Sequence, residues 1–161
     1  MSNYFRLAAL SLVLGLAGCG KSDSSATPGI ALDHSTPEGA ILCLEEAYRN
    51  KDLEAAVGCK DFKIEAKFML QKLQKELADD AEVLAKTAEV LELGFRSEMK
   101  EKGFPDFRGV ESSFPQKAPY EGREDVVQVT EECRSGNGPV TKNILVVAKT
   151  ATGWKVITVP D

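Results

Sequence analysis

The spacing of apolar side chains changes once along the chain, at Gly103-Phe104-Pro105, and this change constrains the fold more than any other feature. Before it, apolar residues recur every three or four positions, as they do on amphipathic helices. After it, they alternate with polar residues or form short continuous runs, as they do in β-strands. A chain with its helices first and its strands afterwards is typical of an α+β domain, so we expect N-terminal helices packed on one face of a curved antiparallel sheet.

Capping residues predict where the helices begin. Thr36 followed by Pro37 predicts the start of a first helix, and Asp52 predicts the start of a second, short helix. Asp79-Asp80 is expected to divide the long stretch that follows into two helices. The alternative, a calcium site, would need more ligands, since two adjacent carboxylates on a helix point in diverging directions. Residues of that stretch recur at helical spacing: Ala66, Met69, Leu70, Leu73, Leu77, Ala81, Leu84, Ala88, Leu91 and Phe95.

The last third of the chain predicts four strands separated by turns. Pro105–Gln116 is expected to be an edge strand limited by its prolines, because proline cannot donate to a sheet ladder. Val140–Lys149 contains a continuous apolar run that suits a central strand, and the segment from Trp154 to Val159 alternates as a final strand. Asp125–Arg134 alternates as well, with one face carrying Val127, Val129, Glu131 and Cys133.

The N-terminus carries the pattern of an export signal. Met1–Arg6 has one positive charge, and Leu7–Leu16 is an apolar run of ten residues, which is too short for a stable membrane anchor. The run ends in Leu16-Ala17-Gly18-Cys19, which resembles the bacterial lipobox. The resemblance implies that Cys19 is acylated and becomes the mature N-terminus, and that Gly20 in place of Asp favours the outer membrane, facing the periplasm.

These signals divide the chain into a lipoprotein signal peptide over residues 1–18, a flexible tether over 19–35 and a folded domain over 36–161. His34 is expected to be a solvated residue of the tether. Removal of the signal with Arg6 leaves 19 basic and 25 acidic residues, a net charge of −6, which argues against nucleic-acid binding. With one histidine, the chain offers no material for a two-histidine metal site, so we expect no metal or other cofactor.

Two segments of the predicted domain resemble the nuclear transport factor 2-like superfamily, which includes ketosteroid isomerase. The first runs from Thr36 through Glu46-Ala47-Tyr48 to Lys51-Asp52-Leu53-Glu54-Ala55, and the second is Gly153-Trp154-Lys155-Val156. The resemblance implies a cone, in which a bent sheet wraps around helices and often leaves a pocket at the wide end. The superfamily contains enzymes and non-catalytic binding modules, so the fold by itself does not choose a function.

The cysteine count is odd once Cys19 is assigned to the lipid. Cys43, Cys59 and Cys133 remain, and an oxidising compartment favours pairing. A hairpin of the first two helices would bring Cys43 opposite Cys59, and closing that loop of about 16 residues would add about 3 kcal/mol in the chain-entropy model. A pair that includes Cys133, and no disulfide at all, stay open as alternatives.

The sequence assigns no catalytic residue. Tyr48, Glu131 and Cys133 are the candidate pocket residues, since an isomerase-like site needs a carboxylate base, here Glu131, and hydrogen-bond donors, here Tyr48 or Tyr120. Glu131 lies near a strand end, where we expect twist to turn it toward solvent. We therefore expect a membrane-anchored, non-catalytic module that binds a small apolar ligand or a protein partner, with a small-molecule isomerase, dehydratase or hydrolase as the alternative.

Overall fold

The computed structural model describes residues 29–160. The predicted signal peptide, the predicted lipid-attachment residue Cys19 and residues 19–28 of the predicted tether lie outside this range. The described chain forms four helices and then a four-stranded sheet, which confirms the α+β class. The helices are α1 (Pro37–Asn50), α2 (Leu53–Gly58), α3 (Phe62–Leu73) and α4 (Ala81–Lys102), and a short 3₁₀ helix, Lys75–Asp79, precedes α4. The strands are β1 (Val110–Tyr120), β2 (Arg123–Ser135), β3 (Val140–Thr150) and β4 (Gly153–Ile157).

The helices begin where side-chain caps satisfy their first backbone N–H groups. Thr36 accepts a hydrogen bond from the Gly39 amide, and Asp52 accepts one from the Ala55 amide, as the sequence predicts. Asp80 accepts from the first turn of α4, so the predicted junction at Asp79-Asp80 is confirmed as a helix boundary.

The sheet is an antiparallel meander in the order β1-β2-β3-β4. The predicted central position of β3 is confirmed, and β1 is an edge strand. Its predicted limit at Pro115 is wrong, because the strand continues to Tyr120. The register of β1 against β2 shifts between Ser113 and Gln116, and Pro115 lies inside this irregularity. The strand can therefore include Pro115, which has no backbone N–H to donate to the neighbouring strand.

Helices cover both faces of the sheet, and the expectation that they share one face is wrong for α3. Alternate residues of the paired strands β2 and β3 point to opposite sides of the sheet. On one side, which we call the inner face, Val127, Val129 and Val147 pack against α1 residues that include Ile41 and Leu44. On the other side, the side chains of Ile64 and Phe68 from α3 pack against Val126, Val146, Ala148 and Ile157.

The folded unit includes His34, which the sequence places in a solvated tether. The Trp154 amide donates to the His34 carbonyl at 2.8 Å, and the His34 Nδ1 lies 2.8 Å from the Trp154 carbonyl oxygen. Gly153 has φ +110°, and a side chain there would collide with the His34 carbonyl. This segment therefore lies against the start of β4, and the expectation that His34 is a solvated residue of the tether is wrong.

Two isoleucines test whether the contact between α1 and the inner face carries the stability of the fold. Ile41 is 2% exposed and Ile144 is 66% exposed. We expect Ile41→Ala to lower the free energy of unfolding by about 2–5 kcal/mol, through lost burial and a residual cavity. Ile144→Ala should change it by less than about 0.5 kcal/mol. Urea unfolding followed by Trp154 fluorescence measures both, and equal losses would contradict this account of the core.

Candidate functional site

The interface between α1 and the inner face changes from apolar to polar along β2. Glu131 and Cys133 follow Val127 and Val129 on the same side of the strand. Antiparallel pairing places Asn143 of β3 opposite Glu131 and Ser112 of β1 opposite Cys133. The structure therefore brings two of the predicted pocket residues, Glu131 and Cys133, into one polar cluster on the side that faces α1.

Glu131 meets a second carboxyl group, that of Glu45 on α1. Both residues are only 2% exposed, so the prediction that Glu131 turns to solvent is wrong. Glu131 Oε2 accepts a hydrogen bond of 2.8 Å from Asn143 Nδ2, and Glu45 Oε2 accepts one of 2.8 Å from Arg49 Nη2. The other oxygen of each carboxyl, Oε1, is buried without an N–H or O–H donor among the described residues.

Burial and the second carboxyl raise the pKa of Glu45 to about 8. Loss of solvent is the largest cause, and the hydrogen bond and negative charge of Glu131 come next. The Ser112 hydroxyl and the Arg49 guanidinium act in the opposite direction. Two buried carboxyl groups in hydrogen-bonding contact cannot both be ionised without a large cost in free energy. The geometry therefore favours one neutral and one charged group.

Arg49 supplies the positive charge next to this pair. Its guanidinium donates to Glu45, to Glu46 Oε2 at 2.9 Å and to the Phe107 carbonyl oxygen at 3.1 Å. The three acceptors use the fork of donors that only arginine offers. Arg49 therefore connects Glu45 and Glu46 of α1 to the loop that leads into β1.

The predicted hydrogen-bond donors lie away from Glu131. Tyr48 packs against Phe104 and Phe107, with ring centroids 6.1 and 6.0 Å away, and burial raises the pKa of its hydroxyl. Tyr120 packs edge-on against Phe68 and belongs to the core cluster on the opposite face of the sheet. The arrangement of a carboxylate base beside a tyrosine donor, which an isomerase-like site requires, is therefore not assembled around Glu131.

Cys43, Cys59 and Cys133 are free thiols in the structure. Burial raises the pKa of Cys59 to about 11, with a smaller contribution from the nearby Cys43. The side chains of Cys43 and Cys59 belong to the same core cluster, and their pairing stays a prediction.

A third buried acidic side chain, Glu65, has a cationic partner. Glu65 of α3 lies 2.6 Å from Lys60 Nζ, and its Oε1 accepts a 2.9 Å hydrogen bond from the Thr158 amide. The Lys60 ammonium also lies over the rings of Phe62 and Phe95 at 5.7 and 5.5 Å. The hydrogen bond from Thr158 joins α3 to the chain after β4. Glu65 has a cation beside it, whereas Glu131 faces the carboxyl group of Glu45.

Among residues 29–160, the surface includes the following two depressions. The larger, about 580 Å³, lies along α4 and is lined by Val90, Leu93, Gly94, Arg96, Ser97 and Lys100; we call it the α4 groove. The smaller, about 140 Å³, lies beside the aromatic cluster of Tyr48, between the end of α1 and the loop before β1. Neither is lined by Glu45 or Glu131.

Within residues 29–160, no group of three or more histidine, cysteine, aspartate or glutamate side chains is placed to hold a metal ion. In the same range, no helix combines the length and apolar character needed to cross a bilayer. Comparisons with protein-family models, with curated proteins and with solved structures gave no match.

The sequence missed Glu45, although a signal for it was present. Glu45 follows Ile41 by four positions, so it lies on the apolar stripe of α1 that faces the sheet. An acidic residue on such a stripe is rarely buried unless it has a partner. The partner could not be inferred, because Glu131 is 86 positions away and only the packing of α1 on β2 joins the two.

The reactivity of Cys133 tests the polar cluster. Burial, followed by the charge of Glu131, raises the pKa of this thiol to about 12. Since the thiolate is the nucleophile, we expect iodoacetamide at pH 8 to modify Cys133 at least about 100-fold more slowly than a free cysteine. Glu131→Gln should speed the reaction by removing the nearby charge. Mass spectrometry of folded protein gives the rates, and rapid labelling of Cys133 in the unmutated chain would contradict the assignment.

Proposed function

We propose that this chain is a lipid-anchored lipoprotein of the bacterial cell envelope that acts as a non-catalytic binding module, and that it binds a protein partner through the α4 groove. The anchor rests on the lipobox resemblance at Cys19, and the envelope setting follows from the same motif. The nuclear transport factor 2-like resemblance is compatible with such a role. The single observation that carries the binding function is the exposed apolar surface of α4.

Helix α4 presents large apolar side chains to solvent. Val90 and Leu93 are 66% and 65% exposed, although α4 also carries an apolar stripe on its inward side. Between them and Ser97, Gly94 leaves open space, since a side chain at this position would meet no atom within 4 Å. Apolar side chains beside an open notch and bordered by charged residues are typical of protein-binding surfaces.

The charged border of the α4 groove indicates the chemistry of the partner. Arg96 is already held by Glu54 and Glu92, whereas Lys100 lines the groove at its C-terminal end. Lys86, four residues before Val90, is paired with Glu82. A partner segment that presents apolar side chains to Val90 and Leu93 and a carboxylate to Lys100 would complement this surface.

The packing of the inner face supports a protein partner over a small apolar ligand. Ile41 and Leu44 of α1 fill the space against Val127, Val129 and Val147. Both depressions lie elsewhere, on the outer surface. The α4 groove is shallow and open, which suits an interface with a protein segment better than the enclosure of a small molecule.

One observation favours the alternative function, a small-molecule isomerase, dehydratase or hydrolase. Glu131 is a buried carboxyl group with an unusual environment, which is a common property of acid–base catalysts. Its second oxygen is held by Asn143, and its neighbour is Glu45 in place of a tyrosine. The binding function therefore has the stronger support.

The lipid anchor can be tested at Cys19. We expect Cys19→Ser to abolish incorporation of labelled palmitate and to move the protein out of the membrane fraction, because the acyl chains supply the membrane affinity. Cys43→Ser is the matched control and should leave both properties unchanged. Palmitate in the Cys19→Ser protein would contradict the proposed anchor.

The α4 groove can be tested with two exposed leucines. A photoreactive benzoylphenylalanine replaces Leu93, in the groove, or Leu73, which is 74% exposed at the end of α3. In intact cells we expect a discrete protein adduct from position 93 and none from position 73. Purified partner should then bind Leu93→Arg about 30-fold more weakly, a loss of about 2 kcal/mol that is typical of a central interface residue.

Leu73→Arg should leave that binding unchanged, and neither exposed substitution should change the free energy of unfolding by more than about 0.5 kcal/mol. Equal adducts from both positions, or unaltered partner binding by Leu93→Arg, would overturn the assignment of the groove.

A further inference from the structure

We propose that Glu45 and Glu131 form a proton-binding site, in which a single proton is held between their two Oε1 atoms and the pair carries one net negative charge. This site makes the contact between α1 and the sheet sensitive to pH. It is independent of the α4 groove, which lies on another helix.

The hydrogen bonds of the two carboxyl groups favour a shared proton. Each Oε2 has a donor, from Arg49 in one case and from Asn143 in the other, and the Ser112 hydroxyl also hydrogen-bonds the Glu45 carboxyl group. Each Oε1 is buried with no N–H or O–H donor among the described residues, while the two side chains are within hydrogen-bonding reach of each other. Two ionised carboxylates would leave both oxygens unpaired and place two like charges together, whereas one shared proton satisfies both.

With the proton present, the pair carries one negative charge and has one adjacent cation, Arg49. From α1, Arg49 contributes one positive charge, and Glu46 shares the Arg49 guanidinium at the partly exposed edge. From the sheet, β1 contributes the Ser112 hydroxyl, β2 the Cys133 thiol and β3 the Asn143 amide, all of them uncharged. Loss of the proton would therefore add a second negative charge to the interface with no second cation among these neighbours.

The sign of the pH effect follows from the direction of the shift. The folded protein binds the proton more tightly than the unfolded chain, in which a glutamate titrates at about 4.3. The stability that the proton contributes is present at low pH, and it falls as the pH rises from there toward about 8, the folded-state pKa of Glu45. Because the two groups are coupled, the proton that leaves belongs to the pair.

Carboxyl-carbon NMR of the ¹³C-glutamate-labelled full chain in neutral detergent tests the proposal directly. We expect the Glu45 and Glu131 resonances to move together, in a single-proton step, between pH 6 and pH 9. The resonance of Glu65, a buried glutamate ion-paired with Lys60, is recorded in the same spectra as the internal comparison. If neither the Glu45 nor the Glu131 resonance moves in this range, the proposal is overturned.

Two variants, Glu45→Gln and Glu82→Gln, distinguish the loss of the shared proton from the loss of one negative charge elsewhere on the protein. In Glu45→Gln, the amide can donate permanently to Glu131 and still accept from Arg49, so we expect the NMR step to disappear. The fall in thermal midpoint between pH 5 and pH 8 should be smaller than in the unmutated chain. Glu82→Gln, on the exposed face of α4, should keep the full slope. An unchanged step in Glu45→Gln would overturn the proposal; if that variant does not fold, the titration of the unmutated chain still decides.

Discussion

The rest of the structure depends on the packing of α1 against the inner face of the sheet. Val129 and Val147, on the two central strands, are completely buried beneath α1, and Ile41 and Leu44 fill the space above them. Helix α2 contributes Ala56 to the same core cluster, and α3 packs on the opposite side of the sheet. A single parallel bridge between Lys60 and Val156 joins the chain between them to β4. Removal of α1 would take Ile41 and Leu44 out of the cluster that buries Val129 and Val147.

The same interface contains the most demanding feature of the molecule, because it buries two acidic side chains where its apolar half ends. A buried charge is costly unless it is paired and hydrogen-bonded. Arg49 and Asn143 each satisfy one oxygen, and the shared proton that we propose would satisfy the remaining two. Helix α1 therefore contributes both to the apolar core and to the site whose ionisation can change. Arg49 also donates to the Phe107 carbonyl oxygen, so it links this site to the loop before β1.

The binding function that we propose uses a different part of the fold. Helix α4 packs through one stripe and leaves its opposite side, with Val90 and Leu93, open to solvent. The carboxyl pair lies in the tight interface of the core, and the α4 groove lies on its outer surface. This separation means that a partner on α4 would not need to displace any part of the α1–sheet contact.

Local features of the sequence were sufficient for most of the elements. Thr36, Asp52 and the Asp79-Asp80 junction mark helix boundaries because capping depends on side chains within three residues of the amides that they satisfy. The alternation in β2 correctly grouped Val127, Val129, Glu131 and Cys133 on one face, since that periodicity is a property of the extended backbone. Two predictions were wrong for the same reason: that β1 ends near Pro115 and that His34 is solvated. The extent of β1 depends on its pairing with β2, and the position of His34 depends on its hydrogen bond with β4.

The sequence by itself determined the α+β class, the order of the elements and the face of β2 on which Glu131 lies, because each follows from local spacing and capping. Only the tertiary structure decided that Glu131 is buried, that Glu45 and Arg49 face it, and that α3 covers the opposite side of the sheet. Those outcomes depend on contacts between residues that are far apart in the sequence, which form only when the helices pack against the sheet. Local sequence spacing cannot predict these contacts, although they set the burial and the charge environment of each side chain.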